Sequence, residues 1–268
     1  MPLSALGMAI CAYDHRSDVN DGDQIALNQE LRTAIDQQEL IVHFQPILHC
    51  STMGIGGVEA LVRWPHPTRG SLYPDSFVAL AEQVELMPQL TNSVLQLARC
   101  EAPRLPGLGH DLQMSVNVSG HDLLDDGLSD RIDALLRQHG VSHDKLTLEV
   151  SESCFGMDSE RVSRSIHELR SRGIRISIDD FGIGYSSMSQ LLGLWIDELK
   201  IDKAFVLAFL GDGRADSIVR STIQLCRALD LRVVAEGVET SEALASLREL
   251  GVDGVQGYFV SEPLAATS

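Results

Sequence analysis

Short runs rich in β-branched residues alternate along the chain with longer stretches of helical periodicity, and this alternation is typical of repeated βα units. Eight such runs are predicted to be strands within the 268 residues. An α/β fold of the (β/α)8 TIM-barrel type accommodates that number of strands with intervening helices. The predicted strands are Leu40–Leu48, Gly54–Leu61, Gln113–Val118, Lys145–Val150, Arg175–Asp179, Glu198–Ile201, Arg232–Ala235 and Gly254–Phe259.

The first two predicted strands are separated by only a few residues, His49–Met53, which fit a hairpin turn. Parallel neighbours need a crossover of a dozen residues or more, and this gap is too short for one. The first strand is therefore expected to run antiparallel to the second, unlike the other strands of the barrel.

Two helices between the later strands carry clear sequence signals. One is predicted to begin after the N-cap residue Thr240 and to stop at Gly251, a residue suited to a left-handed helix end. The other is predicted to bury one apolar face at helical spacing. The residues of that face are Ile218, Thr222, Leu225 and Leu229.

The N-terminal residues fit the barrel pattern poorly. Residues 1–23 are predicted to be an N-terminal segment, in which the polar, turn-rich run Ser17–Asp23 forms a linker. Residues 24–268 are predicted to form the barrel domain. A helix carrying Leu27, Leu31 and Ile35 on one face leads into it.

The charge balance narrows the classes of partner. There are 21 Lys and Arg against 38 Asp and Glu, so the formal net charge is −17. This argues against a non-specific nucleic-acid binder, which needs clustered basic residues. A phosphate-bearing substrate is still compatible with this negative charge if metal cations lie between the carboxylates and the phosphate.

Two further sequence features bear on cellular location. No apolar run approaches the ~20 residues that a membrane span needs. The five cysteines are scattered without a C-x-x-C pair, which suits a reducing compartment. A cytoplasmic location is therefore expected.

Polar side chains stand at nearly every predicted strand end, where barrel enzymes place their chemistry. Several carboxylates converging on one rim would repel each other strongly without cations, so a divalent-metal site is favoured over a solvated acidic rim. The residues at these ends are Glu59, Asn117, Glu149, Glu152, Asp179, Asp180, Lys200, Glu236, Glu239 and Gln256.

The candidate ligands are all oxygen donors, which favours Mg²⁺ or Mn²⁺ over zinc. The adjacent pair Asp179 and Asp180 is suited to a site for two cations, because a bridging carboxylate is what such a site needs. Neighbouring side chains on a strand point to opposite sides, so this reading requires the strand to unwind there. The alternative for such a pair is a helix cap or a turn.

Lys200 ends a predicted strand among these acids. Pointing into the acidic mouth, it would order a water molecule or hold a phosphate; the alternative is a surface lysine extending from a strand edge. Other chemistries lack their motifs, since the chain has no G-x-x-x-x-G-K-[ST], G-x-S-x-G or G-x-G-x-x-G.

Taken in order, these segments resemble the EAL-domain family of cyclic di-GMP phosphodiesterases, and the resemblance covers about residues 27 to 264. A lone Glu-Ala-Leu would mean nothing, but the ordered set is specific. The motifs are His43-Phe-Gln-Pro46, Val58-Glu-Ala-Leu-Val-Arg-Trp64, Ser115-Val-Asn-Val-Ser119, Leu148-Glu-Val-Ser-Glu-Ser153, Ile178-Asp-Asp-Phe-Gly-Ile-Gly-Tyr-Ser-Ser187, Leu199-Lys-Ile-Asp202, Ala235-Glu-Gly-Val-Glu-Thr240 and Gln256-Gly-Tyr258.

The resemblance implies a role for each residue of the site. The expected ligands of two cations, Mg²⁺ or Mn²⁺, are Glu59, Asn117, Glu149, Asp179 and Asp180, with Asp179 as the bridge. The expected catalytic residues are Glu59, Lys200 and Glu236, the last as general base or as a ligand near the second cation. The expected substrate contacts are Gln45, Leu61, Arg63, Asp180, Glu239 and Gln256. Glu152 is expected to stabilise the loop Phe181–Met188.

The family likeness implies metal-dependent hydrolysis of cyclic di-GMP to linear 5′-pGpG, in a homodimer formed through the helix and loop beyond the fifth strand. Ile183 stands where the family commonly has Thr, so the loop lacks that hydroxyl group. The change concerns how the loop controls turnover and does not concern metal binding. The segment Gly7–Asp14 weakly resembles the tail of a GGDEF-type domain, so an upstream GGDEF or sensor domain is a further expectation; the alternative is a short irregular N-terminus.

Two other functions stay open at this point. One is a catalytically silent EAL domain that binds cyclic di-GMP or a protein, although silent members usually lose metal carboxylates that this chain keeps. The other is a different metal-dependent barrel enzyme of the enolase type, which Arg63 and the Asp-Asp-Phe-Gly loop fit poorly.

Overall fold

Eight strands of a ten-stranded sheet close into a barrel in the computed structural model of the chain, which describes residues 15–102, 105, 112–182 and 195–266. The predicted barrel fold is confirmed. The strands are β1 Ile41–His49, β2 Ile55–His66, β3 Gly70–Leu72, β4 Gln113–Val118, β5 Leu146–Ser151, β6 Arg175–Phe181, β7 Glu198–Ile201, β8 Arg232–Ala235, β9 Gly254–Val255 and β10 Leu264–Ala265.

Strand β1 closes the barrel by pairing antiparallel with both β2 and β9, whereas β2 and β4 to β9 pair parallel in sequence order. The predicted antiparallel hairpin between the first two strands is confirmed, and its register places Gln45 opposite Glu59. The short strands β3 and β10 lie outside the closed barrel, β3 paired with β2 and β10 with β1.

Helices surround the barrel and cover its outer surface. Apolar side chains that point outward from the strands, such as Leu148 and Leu199, are fully buried beneath them. In the described part of the chain the helices are α1 His15–Asp36, α2 Val78–Gln83, α3 Met87–Glu101, α4 Gly120–Leu123, α5 Leu128–Gln138, α6 Ser159–Ser171, α7 Lys203–Ala208, α8 Gly213–Ala228 and α9 Ser241–Leu250. None of them combines the length and the apolar character needed to cross a bilayer.

Helix α9 has both predicted ends. The Thr240 side chain accepts a hydrogen bond from the Ala243 backbone, and Gly251 adopts the left-handed conformation at φ 81°. The predicted face of α8 is partly wrong: Thr222 is buried and Leu225 packs partly buried against the core, but Ile218 is 39% exposed. The face that docks on the barrel is rotated by about one residue. It comprises Ala215, Val219, Thr222, Ile223 and Cys226.

The N-terminal boundary also differs from expectation. The run Ser17–Asp23 was predicted to be a linker, but it lies within helix α1, which begins at His15. A helix already formed further along gains one hydrogen bond for each residue it adds. The segment Gly7–Asp14 lies outside the described residues, and the division at residue 23 stays a prediction.

Helix α1 is fixed to the barrel by its C-terminal half. Leu31 is fully buried and Ile35 nearly so. Glu30 and the buried ring of His66 at the end of β2 lie 3.1 Å apart. This contact joins the entry helix to the strand that carries Glu59.

The last barrel strand is shorter than the predicted Gly254–Phe259 and ends at Val255. A tight turn follows, in which Gly257 has a φ of 155°. Hydrogen bonds from Val238 N to Gln256 O and from Phe259 N to Val238 O hold this turn against the loop after β8. The turn fixes where the Gln256 side chain enters the barrel.

We expect Gly257→Ala to lower the free energy of unfolding by about 2 kcal/mol or more. A methyl group at this position would overlap the Val238 backbone, and the φ of 155° is unfavourable for alanine. Urea unfolding measures the change. Gly213→Ala is the matched control, because nothing lies near a Cβ there and alanine suits the start of α8. Equal stabilities of the two variants would contradict the expectation.

Candidate active site

Carboxylates from three strands, β2, β5 and β6, and from the loop after β8 meet at the C-terminal mouth of the barrel. Register explains part of the convergence, because Asn117 pairs with Glu149 and Ser151 with Asp179 on neighbouring parallel strands. We call the following residues the acidic cluster. They are Glu59, Glu149, Asp179, Asp180 and Glu236.

Lys200 lies within the acidic cluster and not at the surface, with a fully buried side chain. Its Nζ is 2.5 Å from Glu236 Oε1 and 2.9 Å from Glu149 Oε2. Glu59 Oε2 lies at 3.2 Å and Asp179 Oδ1 at 3.5 Å. One ammonium group therefore contacts four carboxylates.

Amide side chains hold Glu59 in a fixed orientation. Asn117 Nδ2 donates to Glu59 Oε1 at 2.7 Å, and Gln256 Nε2 donates to Glu59 Oε2 at 2.7 Å. Gln256 Nε2 also lies 3.0 Å from Gln45 Oε1, across the closing strands of the barrel. Asn117 uses its side-chain nitrogen for the hydrogen bond to Glu59. The side-chain oxygen of Asn117, which is the atom that a hard cation prefers, takes no part in that bond.

An irregularity in β6 brings the two adjacent aspartates to one site. Ile178 pairs with Leu199 and Phe181 with Ile201, so β6 uses one residue more than β7 over this interval. Asp180 takes up the extra length in a left-handed conformation, with a φ of 54°. Bulges of this kind redirect side chains beside active sites.

As a result, Asp179, Asp180 and Glu236 each place a carboxylate oxygen within 4.8 Å of the others. On a regular strand the two aspartates would point to opposite sides of the sheet. A site for two cations at Asp179 and Asp180 requires the strand to unwind there, and β6 does so.

Burial and mutual repulsion perturb the acids strongly. Burial and then the charge of Glu59 raise the pKa of Glu149 well above its usual value. Burial raises the pKa of Glu236 to about 8, against the opposing effect of Lys200. Burial would also raise the pKa of Glu59, but Lys200 and the hydrogen bonds from the two amides lower it overall. The surrounding acids raise the pKa of Lys200 despite its burial.

Asp202 is a further member of the site that sequence reasoning did not single out. It is buried, and its Oδ1 accepts a hydrogen bond from Ala204 N at the start of α7. Burial, the charge of Asp179 and a hydrogen bond with Asp202 raise the pKa of Asp180 to about 6. The signal available in the sequence was its position two residues after Lys200, immediately past the end of β7.

The donor set fits hard divalent cations. Five carboxylates face a single ammonium group, and all the candidate ligand atoms are oxygens, which Mg²⁺ and Mn²⁺ prefer. Within the described residues, the buried Glu149 Oε1 has no hydrogen-bond partner. A buried carboxylate oxygen without a partner is costly unless a cation or another donor meets it.

The remaining predicted residues lie around this centre. Leu61 and Arg63 share the Glu59 face of β2 at alternate positions. Glu152 is buried and accepts a hydrogen bond from Gly182 N at 3.2 Å, at the start of the loop it was expected to stabilise. Glu239 is exposed and makes no hydrogen bond or ion pair to the cluster in the part of the chain that is described.

Two predictions on the loop after β6 cannot be placed. Ile183 and the rest of the loop to Met188 lie outside the described residues. The roles assigned to individual site residues stay predictions, although the structure brings most of these side chains together.

We expect the metal-free protein to lose stability as the pH rises from about 4.5 to about 8. The unfolded chain releases the Glu236 proton near pH 4.5, whereas the folded chain keeps it to about pH 8. In this window the folded state binds more protons, so raising the pH favours unfolding, by a few kcal/mol for a shift of this size. Urea unfolding in chelator at several pH values measures the effect.

Glu236→Gln isolates this contribution, because glutamine has nearly the same shape and does not titrate. The variant is expected to show a flatter pH dependence of stability than the parent. The same pH dependence in both proteins would contradict the assignment to Glu236.

Comparison with known proteins places this site in a family. A family model described as "EAL domain" matches residues 28–263. The cyclic di-GMP phosphodiesterase NbdA of Pseudomonas aeruginosa is 39% identical over 242 residues, which are 90% of this chain and 31% of NbdA. The bifunctional diguanylate cyclase/cyclic di-GMP phosphodiesterase MucR of the same species is 36% identical over 258 residues, 96% of this chain and 38% of MucR. The chain thus spans about a third of the length of these curated relatives.

Solved structures agree with the fold. The PaMucR phosphodiesterase in complex with c-di-GMP superposes with a TM-score of 0.83 at 37% identity, covering 90% of this chain and 98% of that chain. BlrP1 of Klebsiella pneumoniae, solved with calcium and cyclic di-GMP, superposes with a TM-score of 0.76 at 27% identity, covering 86% of this chain and 57% of that chain. The family match covers nearly the whole stretch, about residues 27 to 264, over which the sequence resembles the family, and the chain belongs to the EAL-domain family.

Proposed function

We propose that this chain hydrolyses cyclic di-GMP to linear 5′-pGpG with the help of divalent cations. The observation that carries the proposal is the complete acidic cluster around Lys200 at the barrel mouth. Two kinds of similarity support the choice of substrate. NbdA and MucR are named for cyclic di-GMP phosphodiesterase activity, and PaMucR was solved with this dinucleotide.

The residues that would hold two cations, Mg²⁺ or Mn²⁺, are Glu59, Asn117, Glu149, Asp179 and Asp180. When bound, such cations lower the pKa of a water molecule and neutralise phosphate oxygens that a chain of net charge −17 would repel. The bulge in β6 lets Asp179 and Asp180 act at the same centre. The hydrogen bonds to Glu59 hold its carboxylate in place before any ligand arrives.

Lys200 and Glu236 are the proposed proton-handling pair. Water attacks one phosphorus in line, the bond to a ribose 3′ oxygen breaks, and that oxygen takes up a proton, so one water is consumed for each diester opened. Glu236 Oε1, 2.5 Å from Lys200 Nζ, is placed to accept the proton of the attacking water. Lys200 holds the water or a phosphate oxygen through its ammonium donors.

The substrate contacts form the outer part of the site. We propose that Arg63 meets a phosphate, with Leu61 and Gln45 lining the wall of the mouth beside it. Gln45 is already engaged, because it contacts Gln256 and donates to Ser261 O at 3.3 Å. Its role is therefore to shape the wall together with Gln256. Glu239 at the exposed rim and Asp180 within the acidic cluster complete the proposed set.

The proposal extends to the protein around this domain. MucR joins a diguanylate cyclase activity to its phosphodiesterase activity. Since the chain matches only about a third of such relatives, we propose that an upstream GGDEF or sensor domain regulates the barrel. Helix α1 is the element through which such a domain would act, because Glu30 and Leu31 join it to the barrel.

We expect the purified chain to convert cyclic di-GMP to 5′-pGpG in Mg²⁺ or Mn²⁺ and to lose this activity in chelator. Glu59→Ala is expected to abolish turnover, since it removes a ligand, and Glu236→Gln to lower kcat about 100-fold or more. Chromatography of the products measures both effects.

Glu249→Gln is the control, because this acid is exposed near the C-terminal end of α9, at the end of the barrel opposite the mouth. It should retain the parental rate. Binding of the dinucleotide without turnover in either metal would contradict the hydrolase and favour a silent binding module.

We also expect a homodimer. The helix and loop beyond the fifth barrel strand, where the family resemblance places the contact, lie largely outside the described residues. Leu207, Leu210 and Ile218 are 53%, 54% and 39% exposed on or beside the neighbouring helices α7 and α8, and support an apolar contact on this side. Sedimentation at micromolar concentration should show a dimer, and Leu210→Lys should weaken it. A monomeric parent chain would contradict the expectation.

A further inference from the structure

Arg63 is a buried cation that none of the carboxylates in the described part of the chain neutralises directly. Its side chain lies at the mouth of the barrel on the Glu59 face of β2, and the residue is 6% exposed. One hydrogen bond goes to the Val62 carbonyl at 2.8 Å. Among the described residues, no acid lies within ion-pair distance of its guanidinium. Burying a charge in this way is costly unless a partner arrives, so the guanidinium is prepared for an anion.

Tyr73 lies against this guanidinium. The Arg63 Cζ stands 4.7 Å from the centre of the Tyr73 ring, which is the geometry of a cation–π contact. Tyr73 is nevertheless 61% exposed, so the ring shields the arginine with one face and presents the opposite face to solvent. A large exposed aromatic ring beside a buried arginine is unusual for a surface that only faces water.

The backbone holds the Tyr73 ring in position. Tyr73 follows β3 and precedes the short 3₁₀ helix Pro74–Ser76. Its carbonyl accepts hydrogen bonds from the Ser76 backbone at 3.0 Å and from the Ser76 hydroxyl at 2.6 Å. The following proline further restricts its backbone. The ring is thus presented from a fixed support.

The position of Tyr73 relative to the acidic cluster suits a nucleotide. Arg63 is four residues after Glu59 on the same strand face, so their Cα atoms are about 13 Å apart along the strand. Trp64 pairs with Leu72 in antiparallel register, which brings Tyr73, the next residue, level with Arg63 and beside it. A cyclic dinucleotide with one phosphate at the cluster can reach this rim with a base.

From this geometry we infer that Tyr73 is a specificity-determining residue, which stacks its open face on one guanine base of the substrate while Arg63 meets a phosphate. The inference rests on the proposed function, because it takes cyclic di-GMP as the ligand. Every purine offers a flat face, so stacking on Tyr73 favours a purine dinucleotide over simpler phosphodiesters.

The test is the effect of Tyr73→Ala on KM and kcat for cyclic di-GMP. Loss of one base–aromatic contact is expected to raise KM about 10-fold or more, with kcat changed less than about 2-fold. Tyr73→Phe keeps the ring and should stay close to the parent. Met53→Ala is the control, because Met53 is 44% exposed in the β1–β2 turn at the opposite end of the barrel.

Two further measurements separate stacking from a role through Arg63. In an Arg63→Ala background, Tyr73→Ala should still raise KM if the ring contacts the base, and should have no further effect if the ring only positions the arginine. The dissociation constant for cyclic di-GMP is also measured by calorimetry in a Glu236→Gln background, with and without Tyr73→Ala, so that binding is tested apart from turnover.

The outcomes distinguish this inference from the proposed function. Parent protein that binds cyclic di-GMP without turnover overturns the hydrolase, while a weaker affinity in Tyr73→Ala still supports the stacking contact. Unchanged KM and affinity in Tyr73→Ala overturn the stacking contact whether or not the chain is an enzyme. Absence of any binding by the parent overturns both.

Discussion

The crowding of five carboxylates at one end of a barrel is the constraint on which the rest of the site depends. Like charges at this separation raise the free energy of the folded chain, and burial raises it further. Lys200 is the one cation that the described residues place among them, and its ammonium group contacts four of the acids. The same excess of negative charge that strains the fold makes the centre attractive to hard dications.

The amide side chains serve the same centre in a different way. Asn117 and Gln256 donate to the two oxygens of Glu59 and lower the cost of keeping it ionised. Glu149 has no such support on one oxygen, and its pKa is raised well above the usual value. The site therefore contains one acid, Glu59, that is already ionised before a ligand binds, and others, such as Glu149, whose ionisation depends on what binds. Acids with different pKa values allow a single pocket to combine ligand binding with proton transfer.

Much of this could be predicted from the sequence, because strands and barrel mouths follow simple periodic rules. Glu59 and Glu149 were placed at the mouth from strand ends alone, and the short gap before Gly54 was sufficient to predict the antiparallel first strand. What escaped prediction depends on tertiary packing. The face of α8 was wrong by about one residue, since Ile218 and Val219 both fit a helical apolar stripe and only docking on the barrel decides between them.

The helix through Ser17–Asp23 escaped prediction for a related reason, because its residues individually favour turns while the helix that follows them is fixed by buried Leu31. The contribution of Asp202 was not predicted either, although it stands two residues after Lys200. The sequence indicated that the strand must unwind at Asp179 and Asp180, but not that Asp202 would form a hydrogen bond with Asp180 there.

That extra residue in β6 also has an evolutionary consequence. The surplus amounts to one position relative to β7, and Asp180 occupies it in a left-handed conformation. An in-frame loss of a single codon there would restore even pairing of the two strands and leave the barrel closed. It would also remove the second aspartate from the centre. On the proposed chemistry, that one deletion would take away a cation ligand and a substrate contact together.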